Sequence, residues 1–194
     1  MSKIHFKGSV MLNPVPVVVI TTINKEGIPN VFTAAWIGTA CTKPPIISVA
    51  IRPERLSYEN IKSTNEFVVN LPTKDMVKVV DYVGVKSGRT NDKIKEMNLE
   101  LEPSQNVKVP SIKSCPVSLE CVVKQVITLG THDLFLAEVV GVNVDESLID
   151  IKGKIHLEKA SLISYSHGEY FPLLNKPLGK FGFSVEKKTK NKKY

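Results

Sequence analysis

The sequence predicts a mainly β domain, built from an antiparallel sheet with a few short peripheral helices. Segments rich in β-branched residues, such as 15–22 and 46–51, have strand length and are bounded by turn residues. The connections between them are too short for the helical crossovers that parallel strands require. A chain of 194 residues can form a single core, and no interdomain linker is visible. We therefore expect one domain over 1–185, followed by a Lys-rich flexible tail over 186–194.

The predicted elements follow one another from residue 15. A strand at 15–22 turns at 24–27 and is followed by a partner strand at 30–36. Pro44 and Pro45 predict a turn or a sheet edge, because neither nitrogen can donate a ladder hydrogen bond. Further strands are predicted at 46–51, 66–71, 117–129, 134–144 and 162–165, and helices at 58–64, from 73 to 84 and from 91 to 97.

Three local patterns give more detailed expectations. Ser57 is placed to cap the helix at 58–64 through its hydroxyl. Residues 99–114, with two prolines, predict an extended crossing over the surface. In the strand from 117, Ser118 and Glu120 alternate with apolar residues, which predicts a solvent-facing side. The apolar spacing of the helix from 73 predicts one buried face, made of Met76, Val77, Val80 and Val83, and Gly84 is expected to help end that helix.

The stretch 30–60 has the composition of a binding site for a planar ligand. Small residues at 33–35 would let a ligand approach the backbone, and Trp36 offers a flat apolar wall. Arg52 and Ser57 flank the start of a helix, where a phosphate can bind. Each feature also has a simpler interpretation, since Trp36 can be a core aromatic, Arg52 a solvated charge and Ser57 only a cap. The order of these features within about thirty residues favours the site.

Cysteines and charge argue against several other classes of protein. Cys41, Cys115 and Cys121 form no CxxC pair, so we expect neither a disulfide framework nor a metal site, and Cys115 and Cys121 fit small apolar positions in or beside a strand. The net charge is +7, but residues 186–194 hold five Lys and one Glu, which leaves 21 basic against 18 acidic residues elsewhere. A Lys run at a terminus is usually a solvated end, and we expect no nucleic-acid binding.

The beginning of the chain has no long apolar segment. Its longest apolar stretch, near residues 15–20, is far too short to span a bilayer. We therefore expect a soluble, cytoplasmic protein with no membrane partner.

Seven segments together resemble the flavin reductase-like family. They read PVPVVVITT, G-x-PNVFTAAW, CTKPPIISVAIR, LSYENI, FVVNLP, SGRTNDK and GTHDLFLAEVVGV, in the order and at the spacing of that family. The resemblance covers most of residues 14–142 and is strongest to the flavoredoxin branch. It implies a Greek-key split β-barrel of the FMN-binding type.

The resemblance also implies FMN as cofactor and suggests which residues contact it. Similar proteins place a small polar residue against the flavin ring at the position of Cys41, and flavin contacts at the positions of Lys93, His132 and Tyr165. We expect Arg52 and Ser57, with Lys93 nearby, at the phosphate or the polar edge of the ring. Asn30, Thr33 and the backbone of Ala34 and Ala35 are expected at the ring edge, and Trp36, Tyr165 and His132 as its walls. Split-barrel flavoproteins dimerise with FMN near the interface, so some of these residues would come from the partner chain.

Three functions remain open from the sequence. The first is an oxidoreductase that transfers electrons from NADH or NADPH to flavin. The second is a flavoredoxin-type electron carrier that receives electrons from a protein partner. The third is a non-redox flavin-binding homodimer. The sequence has no dinucleotide-binding fold, but members of the family that use NAD(P)H also lack one, so this feature does not decide between them.

Overall fold

The computed structural model describes residues 1–186 as a mainly β protein with three short α-helices among those residues. Short 3₁₀ turns lie between the regular elements. The strands are β1 Val15–Pro16, β2 Val18–Ile23, β3 Pro29–Ala34, β4 Ile37–Thr42, β5 Pro45–Ile51, β6 Glu66–Leu71, β7 Leu101–Glu102, β8 Ser111–Ile112, β9 Val117–Thr128, β10 Asp133–Val144, β11 Ile163–Ser166 and β12 Glu169–Pro172; the helices are α1 Leu56–Thr64, α2 Val77–Val85 and α3 Lys93–Glu96.

The main sheet curls into a barrel because of how its edge strands are connected. Its seven strands are antiparallel and lie in the order β3-β2-β6-β9-β10-β5-β4. β3 and β4 stand at opposite edges of this order, yet only Ala35 and Trp36 separate them along the chain. The sheet must therefore curve until its two edges meet. The predicted antiparallel split barrel is confirmed.

Apolar residues fill the barrel and also cover its outer face. Inside, a cluster built around Ile20, Phe67 and Phe135 is fully buried. Neighbouring residues of the same strands, such as Val19, face outward into a second cluster beneath α2. Because both faces of β2 are covered, all six of its residues are buried, and buried and exposed residues do not alternate along it.

Helix α2 packs closely against β3. Met76, Val80 and Val83 form its buried face, as predicted, but the side chain of Val77 is 38% exposed. The helix continues past Gly84 to Val85, so the prediction that Gly84 helps end it is wrong. A Cβ at Gly84 would lie 3.1 Å from the Cβ of Thr33, which shows that the absence of a side chain here serves the close packing of helix and strand.

Two further sequence predictions need correction. Residues 37–42, which had not been predicted as a strand, form the edge strand β4, and the turn predicted at the prolines is at Lys43 and Pro44. Residues 99–114 do not simply cross the surface, since they contain β7 and β8 and bury Val107, Val109 and Ile112. This segment covers the start of β9, and for that reason Ser118 and Glu120 are buried instead of solvent-facing.

The remaining predictions about the chain concern cysteines, the tail and membrane spans. Cys115 and Cys121 are buried next to and within β9, as expected, and burial raises the pKa of each thiol to about 12. The predicted tail lies outside the described residues apart from Glu186. Within residues 1–186, none of the helices has the length and apolar character needed to cross a membrane.

Candidate functional site

A small cleft lies where β3 ends and α1 begins. The cavity has a volume of about 170 Å³. The Trp36 carbonyl accepts a hydrogen bond from the Ala50 amide at 2.9 Å, which joins the β3–β4 connection to β5. The cleft brings together six predicted site residues, and is lined by Phe32, Thr33, Ala34, Ala35, Trp36, Ala50, Ile51, Arg52, Arg55 and His132.

A larger cavity of about 940 Å³ lies on the other side of the first turn of α1. Arg55 lines the small cleft and the next residue, Leu56, lines the large cavity, so the two meet across this turn. The predicted site residues Asn30 and Lys93 line the large cavity, together with Gly88. A volume of 170 Å³ is below the range of about 300–1,000 Å³ typical of small-molecule sites. A ligand of the usual size would therefore extend beyond the small cleft.

Positive charge surrounds the N-terminus of α1. Arg52 and Arg55 lie just before the helix, and both are exposed. Arg52 contacts Glu54 at 3.3 Å in an ion pair whose members are both solvent-exposed, so little energy is lost when Arg52 turns to another anion. No described side chain caps this helix; the Tyr58 amide already donates to the Arg55 carbonyl at 3.0 Å, so the amides of Leu56 and Ser57 are the ones a ligand could bind.

Ser57 does not cap α1, contrary to the prediction. The helix begins one residue earlier, at Leu56, and Arg55 takes the cap position. Ser57 is fully buried in the first turn, where its Oγ accepts a hydrogen bond from Asn30 Nδ2 at 2.7 Å. The hydroxyl therefore points into the protein and binds β3 instead of the helix amides.

Lys93 is a buried cation at the start of α3. Its side chain is only 4% exposed, and its Nζ donates to the Val83 carbonyl at 3.0 Å. Among residues 1–186, no carboxylate forms an ion pair with it. Burial, together with a smaller effect of the nearby charge of Arg55, lowers the pKa of Lys93 to about 8. A buried ammonium group without a counter-ion is costly, and an anion bound beside it would relieve that cost.

His132 lies at the tip of the β9–β10 hairpin and lines the small cleft. Its Nδ1 is 2.9 Å from Thr131 Oγ1. The hairpin is fixed to α1 by the next residue, Asp133, which accepts a hydrogen bond from the Tyr58 hydroxyl at 2.7 Å and thereby raises the pKa of Tyr58. This pair holds His132 and the start of α1 together, and sequence reasoning did not find it because the two residues are far apart in the chain.

Three predicted residues are engaged elsewhere or lie outside the two cavities. The Thr33 hydroxyl donates to the Val80 carbonyl of α2, so only the rest of this residue faces the cleft. Cys41 is in the edge strand β4, where its Sγ donates to the Lys43 carbonyl at 3.4 Å. Tyr165 packs its ring against Tyr170, with centroids 5.7 Å apart, and lines neither cavity.

Sequence reasoning missed Arg55 and Gly88. Arg55 had a visible signal, since it lies between Arg52 and the helix in the same stretch. A Cβ at Gly88 would lie 2.1 Å from Asn30 Oδ1, so only glycine fits between this loop and β3. The segment SGRTNDK was noted as one of the segments that resemble the family, and it gave no sign of this close approach.

Comparison with known proteins places this chain in a family. The sequence model of the flavin reductase like domain family matches residues 10–170 of this chain. The chain belongs to the flavin reductase-like family. It is 36% identical over 143 residues to an uncharacterized protein of Archaeoglobus fulgidus, a match covering 74% of this chain and 80% of the relative.

Solved structures of two flavoredoxins are similar to this member of the flavin reductase-like family. The flavoredoxin of Desulfovibrio vulgaris (Miyazaki F) superposes with a TM-score of 0.89 and 26% identity, covering 95% of this chain and all of the other. The flavoredoxin of Methanosarcina acetivorans gives a TM-score of 0.83 and 27% identity, covering 96% of this chain and all of the other. The predicted family and the predicted fold are both confirmed.

Proposed function

We propose that this protein is an FMN-binding redox protein that acts as an NAD(P)H-dependent flavin oxidoreductase. The observation that carries the proposal is the concentration of positive charge at the start of α1. There two arginines flank an uncapped helix N-terminus, and the buried Lys93 lies close enough for the charge of Arg55 to affect it. Such an arrangement suits a phosphate monoester, because charge-assisted hydrogen bonds and helix amides both favour a dianion.

The surroundings of this anion site fit the rest of an FMN molecule. The Ala34 and Ala35 backbone would lie at the edge of the flavin ring, with Trp36 as an apolar wall. His132 would close the other side. Asn30 offers a polar group on the large cavity. Cys41 and Tyr165 of the same chain do not line that cavity. Arg52, Arg55 and Lys93 would hold the phosphate, and the buried Ser57 would act through Asn30.

The division of work between cofactor and protein follows from these residues. When bound, FMN supplies the redox chemistry, since its ring accepts a hydride or electrons. The chain holds the phosphate, orients the ring and limits the access of water. The roles assigned to its side chains require no general acid and no nucleophile.

We also propose that the protein works as a homodimer with the flavin near the subunit interface. One chain alone exposes many large apolar side chains at both ends of the described region. These include Phe6, Met11, Leu12, Leu174, Leu178 and Phe181. Apolar surface of this extent marks interaction sites. The partner would also complete the small cleft, whose volume is too small for FMN alone.

A flavoredoxin-type electron carrier is the second candidate. The two flavoredoxin structures described above favour it. In that case a redox protein, and not a nicotinamide nucleotide, would donate electrons, and the docking rate would fall with added salt if charges guide it. A flavin-binding dimer without redox function is the third candidate, and no feature of the described residues favours it.

Anaerobic spectroscopy separates these functions. The purified protein is loaded with FMN, and the flavin absorption band is followed after adding NADH or NADPH in separate samples. We expect rapid bleaching with one of the two nucleotides. A flavin-loaded protein that neither nucleotide reduces would contradict the oxidoreductase and support the electron carrier, and a protein that binds no FMN would contradict both.

A further inference from the structure

Four buried polar side chains form a hydrogen-bonded chain beneath the first turns of α1. Asn60 Nδ2 donates to Thr22 Oγ1 at 3.1 Å. Thr22 Oγ1 lies 3.3 Å from the Asn30 carbonyl and 3.5 Å from Ser57 Oγ. Asn30 Nδ2 donates to Ser57 Oγ at 2.7 Å. None of the four residues is more than 9% exposed, so water does not compete with these bonds.

The Asn30 side chain has one end of its amide toward Ser57 and the other toward the large cavity. In the structure its Nδ2 donates to Ser57 Oγ, so the amide oxygen faces the opposite way. That oxygen lies beside Gly88, at 2.1 Å from where a Cβ would be. Asn30 and Gly88 both line the large cavity, next to Lys93. The site therefore presents a hydrogen-bond acceptor at this point, and glycine leaves the oxygen room.

We infer that Thr22 is a positioning residue, which acts through the Asn30 carbonyl and Ser57 to hold the Asn30 amide oxygen toward the cavity as an acceptor for an N–H or O–H group of the flavin. This inference rests on the proposed function. Thr22 lines neither cavity, and no sequence motif drew attention to it, whereas Asn60, which donates to Thr22, lines the large cavity itself. The effect of Thr22 is on orientation: without its hydroxyl, the amide of Asn30 is free to rotate and to present its nitrogen instead.

Strand β2 supplies a matched control one residue away. Thr21 is fully buried like Thr22 but faces the other side of the strand. There its Oγ1 accepts a hydrogen bond from Asn70 Nδ2 at 2.9 Å. Thr21→Val and Thr22→Val thus make the same isosteric change in the same strand, and each removes a buried, hydrogen-bonded hydroxyl. Only Thr22→Val breaks the chain that leads to Asn30.

The test measures FMN affinity and the visible spectrum of bound FMN for wild type, Thr22→Val, Thr22→Ser and Thr21→Val. Thermal melting of the flavin-free chains reports the structural cost of each change. We expect Thr22→Val to weaken FMN binding by about tenfold, the scale of one buried hydrogen bond, and to shift the flavin absorption band. Thr22→Ser restores the hydroxyl and should return both to within about twofold of wild type. Thr21→Val should leave the FMN affinity and the flavin absorption band unchanged, even if its melting temperature is as low as that of Thr22→Val.

Each outcome bears on the inference separately from the proposed function. If wild type binds FMN and Thr22→Val matches Thr21→Val in affinity and spectrum, the positioning role is wrong while the proposed function stands. If wild type binds no FMN, the proposed function itself fails. Should Thr22→Val not fold, Thr22→Ala removes the same hydroxyl with a smaller side chain, and wild-type affinity and spectrum in that variant would overturn the inference.

Discussion

Replacing Glu120 by glutamine is expected to lower the free energy of unfolding by about 3 kcal/mol or more. Glu120 is fully buried in β9, where its carboxylate accepts four hydrogen bonds. They come from Gln105 N at 3.0 Å, Asn106 N at 2.6 Å, Asn106 Nδ2 at 2.9 Å and Asn143 Nδ2 at 2.8 Å. Glutamine would turn an NH₂ group toward some of these donors and leave them unpaired.

The contribution of the Glu120 carboxylate to the free energy of unfolding depends on pH in a definite direction. Burial alone would raise the pKa of Glu120, but hydrogen bonds from Gln105, Asn143 and Asn106 outweigh it and hold the pKa below the usual 4.5. A lowered pKa in the folded state stabilises the protein above the unfolded value, and this contribution disappears as the pH falls through the folded value. The difference in stability between wild type and Glu120→Gln should therefore be largest at neutral pH and shrink in acid.

Urea unfolding at pH 7 and in acid measures this effect, with Glu100→Gln as control. Glu100 is 74% exposed and pairs with Lys113 on the surface at 2.9 Å. Its replacement should cost less than about 1 kcal/mol. At neutral pH, Glu120→Gln should also lower the melting temperature by roughly 6–12 °C for a chain of this size. Equal stability of the two variants would show that the carboxylate does not hold the 103–110 segment on β9.

The affinity for FMN is expected to fall as the pH rises above about 8, by up to about tenfold per pH unit. The reason is Lys93, whose pKa is lowered to about 8 by burial and by Arg55. In the flavin-free chain Lys93 is charged below that pH and neutral above it. A bound phosphate dianion favours the charged form, so at higher pH binding must take up a proton.

The same lowered pKa sets how stability depends on pH in the flavin-free protein. In the unfolded chain Lys93 keeps its proton up to about 10.5, whereas the folded chain releases it near pH 8. Between these values the unfolded state binds more protons, so the free energy of unfolding rises with pH. Below pH 8 the buried charge is a constant cost.

Lys93→Met tests both statements. It should flatten the decline in FMN affinity between pH 8 and 9.5 and weaken binding at pH 7, while the flavin-free chain becomes more stable at pH 7. Lys95→Met is the control, since Lys95 is exposed on the same short helix and should keep the wild-type profile. If the FMN affinity of Lys93→Met still declined fully between pH 8 and 9.5, the proton uptake would belong to another group and Lys93 would not be at the phosphate.

Much of the fold follows from the sequence because strand patterns and turns are local. The strand at 66–71 and the hairpin of β9 and β10 are where the pattern predicts them. The strand β4 was missed because Gly38 and the small residues at 40 and 41 interrupt its β-branched side chains, and its pairing with β5 holds it in place. Glu120 was read as solvent-facing because alternation shows which residues share a face but not what covers it.

In the candidate site, too, the sequence indicated residues that lie in one stretch but not contacts between residues far apart in the chain. Arg52, Trp36 and the small residues at 33–35 could be proposed from the sequence because they lie in one stretch of about thirty residues. Ser57 was predicted as a helix cap, but its side-chain partner is Asn30 of β3. Thr22 gave no signal at all, and the segment around Gly88 gave no sign of how closely it approaches Asn30, because both depend on which side chains the fold places against them.

The most direct test of the flavin site is an equilibrium titration of the flavin-free protein with FMN and, separately, with riboflavin, followed by tryptophan emission. Trp36 is the only tryptophan, so any quenching reports the β3–β4 connection. The site predicts that FMN quenches Trp36 and binds at least about a hundredfold more tightly than riboflavin, because riboflavin lacks the phosphate that Arg52, Arg55 and Lys93 would hold. The proposed site would be contradicted if the two flavins bound with equal affinity, or if neither of them changed the emission of Trp36.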